Sequence, residues 1–152
     1  MKTSATLSLF ALLSIADIAL ADVRLPKIFG NGMVLQRDHP IAVWGWADPD
    51  EAITVSLNGQ TKMTNAATDG TWRLQLDAEK AGGPYTLSIK GKNALTIGDV
   101  LIGDVWICSG QSNMEWPVSA STNAEAEINA AHYPNIRHVK IPNAVAGTPQ
   151  ED

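Results

Sequence analysis

An antiparallel β-sandwich followed by the opening portion of an α/β layer is the fold class that the sequence predicts. Three observations carry that expectation. Between residues 23 and 102, short alternating or β-branched runs recur with no sustained helical period. Asn58-Gly59, Asp69-Gly70 and Gly82-Gly83-Pro84 punctuate those runs as turns, at the spacing of a sandwich. Beyond Gly103 the pattern becomes strand, helix, strand, in about the thirty-odd residues of one βαβ unit.

The chain opens on Met1-Lys2-Thr3, an apolar run from Leu7 to Leu20, and Ala19-Leu20-Ala21. A short basic start, a brief apolar stretch and small residues before a cleavage point are what a signal peptidase reads. Residues 1–21 are therefore expected to be a signal peptide, with Asp22 as the mature start and a secreted or periplasmic destination. No later stretch approaches the roughly 18–20 apolar residues that cross a bilayer, so no membrane contact is expected after the signal is removed.

Residues 22–102 form the expected sandwich domain, with strands at 33–36, 41–47, 52–57, 61–66, 72–76, 85–90 and 95–101. Asn58-Gly59 is the clearest turn, because a two-residue hairpin needs positive φ at both centres and these two residues tolerate it best. Ile53, Val55 and Leu57 then share one face of the strand leading into it. Trp72 begins a strand in which it faces inward with Leu74 and Leu76. Trp44 and Trp46 are two apart and point to one side of their strand; such a pair either fills a core or makes a sugar-stacking platform, and the core is the expectation.

Residues 98–107 repeat a unit: Gly98-Asp99-Val100-Leu101-Ile102, then Gly103-Asp104-Val105-Trp106-Ile107. A five-residue offset would reverse the faces if one flat strand ran through both copies, so the break is placed at Gly103. Residues 103–152 are then the first βαβ portion of a second domain. Its opening strand is 105–109, with Cys108 as a small buried hydrophobe. Ser121-Thr122-Asn123-Ala124-Glu125 reads as a capping box with Thr122 as N-cap, starting a helix to about residue 131, and residues 136–141 read as a strand.

Composition narrows the function. The 152 residues carry 11 Lys and Arg against 16 Asp and Glu, a formal net charge of −5. With no basic cluster, nucleic acid is not an expected partner. One cysteine excludes an intramolecular disulfide, and three scattered histidines offer no metal-ligand spacing, so no metal site is expected.

The chemistry is concentrated in Ser109-Gly110-Gln111-Ser112-Asn113-Met114-Glu115-Trp116-Pro117. Small residues after an apolar strand let the backbone turn and present a hydroxyl, which makes Ser112 the candidate nucleophile. The Gly-x-Ser-x-Gly elbow does not match, since Met114 holds its last position. Glu115 is expected to be a solvated carboxylate and Asp104 a structural residue at the junction.

The block Gly-Asp-Val-Trp-Ile-Cys-Ser-Gly-Gln-Ser-Asn-Met-Glu-Trp-Pro resembles the sialate O-acetylesterase family, carbohydrate esterases of the SGNH, or GDSL-like, superfamily. Leu35-Gln36, Val43-Trp44-Gly45-Trp46-Ala47-Asp48-Pro49 and Asp69-Gly70-Thr71-Trp72 resemble that family's N-terminal β domain, so the resemblance covers residues 23–117. It implies an SGNH hydrolase-like, flavodoxin-like second domain. It also implies that Ser112 attacks an acetyl ester on a sugar, that the Ser112 backbone N–H contributes to an oxyanion hole, and that no cofactor is needed. Gln111 and Asn113 are candidate substrate-binding residues on the same block. The implied partner is an O-acetylated glycan, with sialic acid as the leading sugar and acetylated xylan as the rival.

The family draws its base from an Asp-x-x-His motif, and no aspartate in this sequence has histidine three positions later. His39, His132 and His138 have nothing in the sequence that orients them toward Ser112. The 152 residues are thus read as an N-terminal fragment, inactive alone. A reading of another class is a non-catalytic carbohydrate-binding sandwich module.

Overall fold

The computed structural model describes residues 22–142, 144–148 and 150. The expected signal peptide at 1–21 lies outside the described residues. Seven strands follow in order: β1 Val34–Gln36, β2 Ile41–Trp46, β3 Ala52–Leu57, β4 Gln60–Asn65, β5 Thr71–Leu76, β6 Gly82–Lys90 and β7 Ala94–Gly103. Each coincides with an expected run to within three residues at either end. Turn chemistry explains the agreement: Asn58 and Gly59 both take positive φ, 45° and 81°, and close the β3–β4 hairpin with Leu57 opposite Gln60.

The strands make a mixed sheet in the order β1-β7-β6-β3-β4 and a two-stranded antiparallel pair, β2 with β5. The expectation of a wholly antiparallel arrangement is corrected at β1, which pairs parallel with β7 through Val34–Leu101, Leu35–Ile102 and Gln36–Gly103. A three-residue strand carries no directional signal, and the long chain between β1 and β7 allows either direction. Both sheets contribute to one buried cluster. Ile41, Val43, Trp72, Leu74 and Leu76 come from the pair, and Ile53, Val55, Leu57, Leu87, Ile89, Val100 and Ile102 from the mixed sheet. Each large aliphatic fully withdrawn from water there contributes about 1.5–3 kcal/mol.

Alternation fixes which side chains join it. On β5, Trp72, Leu74 and Leu76 are buried and Thr71, Arg73 and Gln75 exposed. On β2 the buried positions are Ile41, Val43 and Gly45, which turns Trp44 and Trp46 outward. The core expectation for those two indoles is therefore corrected. The cause lies at Gly45: Arg24 bridges to Trp46 on the inner side, its N–H donating to the Trp46 carbonyl at 2.8 Å and the Trp46 N–H returning to the Arg24 carbonyl at 2.9 Å. A side chain at Gly45 would overlap that Arg24 carbonyl oxygen.

Beyond Gly103 the second layer does not form among the described residues. Neither 105–109 nor 136–141 is a strand, and Trp106 is 84% exposed, Ile107 93% and Ile136 72%. A strand forms where neighbours satisfy its backbone and cover its apolar face, and no strand of this segment pairs with another. Cys108 is exposed rather than buried. The helix does form, as α1 over Ala124–Ala130, but without the capping box: Asn123, at φ 62°, is the N-cap and makes no side-chain capping bond. Among the described residues no helix is long and apolar enough to cross a membrane.

Candidate active site

The Ser112 segment leaves the β module at Gly103 and is tied down as it leaves. The Arg37 N–H donates to the Gly103 carbonyl at 2.9 Å, Arg37 Nε donates to Asp104 Oδ1 at 2.8 Å, and the Val105 N–H donates to Gln36 Oε1 at 2.9 Å. The bond from Asp104, and then its charge, raises the Arg37 pKa above its ordinary value. Asp104 is thus a junction residue in the structure.

The same segment is tied a second time farther along. Arg137 forks onto Asp99, with Nη1 to Oδ2 at 2.9 Å and Nη2 to Oδ1 at 3.1 Å, and Nη1 also donates to the Gly32 carbonyl at 3.0 Å. Asp99 is available for this because β7 bulges there: three residue steps from Ile97 to Val100 face two from Leu87 to Tyr85, and Asp99 takes φ 56°. Each copy of the repeated Gly-Asp-Val unit therefore places its aspartate on an arginine. Sequence reasoning did not find the Asp99–Arg137 pair; the repeat itself was the available signal.

Between the two ties, Ser112–Glu115 is a 3₁₀ turn entered from Gln111 in an extended conformation, φ −101° and ψ −165°. The Met114 N–H donates to the Gln111 carbonyl at 2.9 Å and the Trp116 N–H to the Asn113 carbonyl at 3.2 Å. Gly110 keeps the approach open, since a Cβ there would sit 2.9 Å from Met114 Cγ. Ser112 is exposed, and Gln111, Asn113 and Glu115 stand exposed beside it. The structure thus brings the three candidates Gln111, Ser112 and Asn113 onto one accessible turn, with Glu115 solvated at its end as expected. His39, His132 and His138 are also exposed, and among the described residues no histidine hydrogen-bonds to Ser112. No group of three or more potential metal-binding side chains occurs among the described residues.

A second concave surface runs along β2 and β5. It is a cleft of about 610 Å³ lined by Trp44, Trp46, Asn65, Thr71, Trp72 and Arg73. The Trp44 ring meets Phe29 edge-on, with centroids 4.8 Å apart and planes at 77°, and the Arg24 guanidinium lies 5.4 Å from the Trp46 ring centroid. Trp72 is 3% exposed, and its Nε1–H has no hydrogen-bond partner.

No family model matches the chain. The chain is similar to the human sialate O-acetylesterase, 37% identical over 142 residues, which takes in 85% of this chain and 27% of that protein. The matched region belongs to the sialate O-acetylesterase family. The mouse sialate O-acetylesterase is 38% identical over 127 residues, 75% of this chain and 24% of that protein. The chain thus spans about a quarter of the length of these sialate O-acetylesterases. A crystal structure of a carbohydrate acetylesterase from Xanthomonas citri superposes with a TM-score of 0.72 at 42% identity, covering 74% of this chain and 26% of that one. The likeness to this solved structure supports a carbohydrate acetylesterase-like fold, a mixed curled sheet with few helices, for the covered part.

Proposed function

We propose that this chain is the N-terminal part of a serine carbohydrate esterase that removes O-acetyl groups from sialic acid or a related glycan, with Ser112 as its nucleophile. The observation that carries the proposal is the match to sialate O-acetylesterases over 85% of the chain, and the exposure of the Ser112 turn fits it. In this reading the Ser112 oxygen adds to the acetyl carbonyl while a base removes its proton. The tetrahedral oxyanion is held by backbone donors, the Ser112 N–H among them, and collapses to an acetyl-serine as the sugar oxygen leaves with a proton. Water then releases acetate. Gln111 and Asn113, on the same turn, are positioned to contact the sugar.

No histidine hydrogen-bonds to Ser112 among the described residues, and a hydroxyl without a positioned base is a poor nucleophile. The proposal therefore assigns the base to an Asp-x-x-His motif outside these 152 residues and expects the chain alone to be inactive. It also divides the chain into a signal peptide at 1–21, a β-sandwich at 22–102 and the start of an SGNH-type layer at 103–152, in an exported protein. The exposed apolar side chains of the last part, among them Trp106, Ile107 and Ile136, support that division, because later elements of such a layer would cover them.

The test joins this chain to the remaining part of the human relative and follows acetate release from O-acetylated sialic acid and from acetylated xylan. Release that disappears with Ser112→Ala supports the proposal, and the faster substrate names the sugar. Release unaffected by Ser112→Ala removes Ser112 from the chemistry.

A further inference from the structure

The outward pair of indoles lies on β2, and Ser112 does not line the concave surface beside them. Trp44 and Trp46 sit on the side of β2 opposite Ile41, Val43 and Gly45, beside Thr71 and Arg73 of β5, with the Trp44 ring resting edge-on against Phe29 of the buried cluster. Register brings Trp44 opposite Arg73 and Trp46 opposite Thr71, so each indole has a hydrogen-bonding neighbour across the pair. We propose that this face is a second carbohydrate site, one that stacks the apolar face of a carboxylate-bearing sugar on Trp44 and pairs its carboxylate with Arg73.

Four features support it. The concave surface, about 610 Å³ and open to solvent, has room for a sugar residue. Sugar rings present C–H faces bordered by hydroxyls; here an indole, 37% exposed at Trp44, is bordered by Asn65, Thr71 and Arg73. Arg73 is the one charged side chain lining the cleft, a cation on a chain of net charge −5, and among the described residues no carboxylate pairs with it. A planar guanidinium is also the side chain best shaped to receive a carboxylate through two parallel bonds. Finally, the platform is held before any ligand arrives: Phe29 braces Trp44 and Arg24 braces Trp46, which lowers the ordering cost of binding.

This site stands on elements other than the Ser112 turn, and it is tested with sugars that carry no ester. The 152-residue protein is titrated by calorimetry with sialyllactose and with lactose, the same disaccharide without the carboxylate-bearing residue. The proposal expects sialyllactose to bind in preference to lactose. Trp44→Ala should weaken sialyllactose by about tenfold, the loss of one stacked ring. Arg73→Gln, which changes an exposed side chain outside the core, should reduce the preference for sialyllactose to no more than about twofold. Absence of binding, equal binding of the two sugars by the unaltered protein, or a preference that survives Arg73→Gln would each overturn the proposal.

Discussion

Replacing Gly45 by alanine tests the account of why the two indoles face outward. The added Cβ would overlap the Arg24 carbonyl oxygen, and would stand 3.1 Å from the Arg24 carbonyl carbon and 3.3 Å from Trp72 Cζ2. The Arg24 segment must then move off β2, which breaks the two backbone bonds at 2.8 and 2.9 Å. Each such bond is worth about 0.5–1.5 kcal/mol net, and crowding a packed interior adds about 1–3 kcal/mol, so the substitution should cost about 2–6 kcal/mol. Set against a total stability of about 5–15 kcal/mol for a domain, that is a large share. Equilibrium urea unfolding followed by tryptophan fluorescence measures it, with a lowered midpoint and an unchanged slope expected. Gly30→Ala is the control, because a Cβ there meets nothing within 4 Å and φ is not in the left-handed region; it should cost less than about 0.5 kcal/mol. If Gly45→Ala costs no more than Gly30→Ala, the Arg24 bridge is not what excludes a side chain, and the reasoning fails.

Two further predictions follow from the rest of the chain. Chymotrypsin should cut first after the exposed Trp106 and Tyr133 and leave a resistant core ending near Gly103; Arg137→Ala should speed the cut at Tyr133 without moving the urea midpoint of that core, whereas equal protection to the end of the chain would contradict the tethered-segment description. Asp69 accepts bonds from the Thr71 N–H at 2.9 Å and the Thr71 hydroxyl at 2.7 Å, which hold its carboxyl below its ordinary pKa of 3.8. Its unfolded form takes up a proton first on acidification, so the stability it contributes is present above pH 3.8 and is lost as pH falls through the depressed folded value. Asp69→Asn should flatten the acid limb of a plot of urea midpoint against pH, and an unchanged limb would show that this turn does not contribute to it.

Much of the β module was legible because its signals are local. Positive φ at Asn58-Gly59 and alternation at Trp72, Leu74 and Leu76 are properties of a few adjacent residues, and they place turns and faces without reference to the rest of the fold. The direction of the Trp44–Trp46 pair was not local. A period of two says that both indoles share a side, but which side depended on Arg24, some twenty residues away, approaching Gly45. The parallel pairing of β1 likewise rests on β7, far along the chain. At the candidate site, Ser112 was legible as a residue in a polar turn and the turn is exposed, yet the two arginine ties that flank it join residues 67 and 38 positions apart and left no mark beyond the repeated aspartate. The strands expected at 105–109 and 136–141 had apolar content without a partner to bury it, and pattern alone does not supply a partner.

The central claim is that the Ser112 hydroxyl is an acyl-accepting nucleophile once its base is present. It is tested most directly by treating the protein joined to the remainder of a sialate O-acetylesterase with a fluorophosphonate and mapping the adduct by mass spectrometry. The account predicts a single phosphonylated site at Ser112, lost in Ser112→Ala. Labelling at another serine, or labelling that persists in Ser112→Ala, would contradict it.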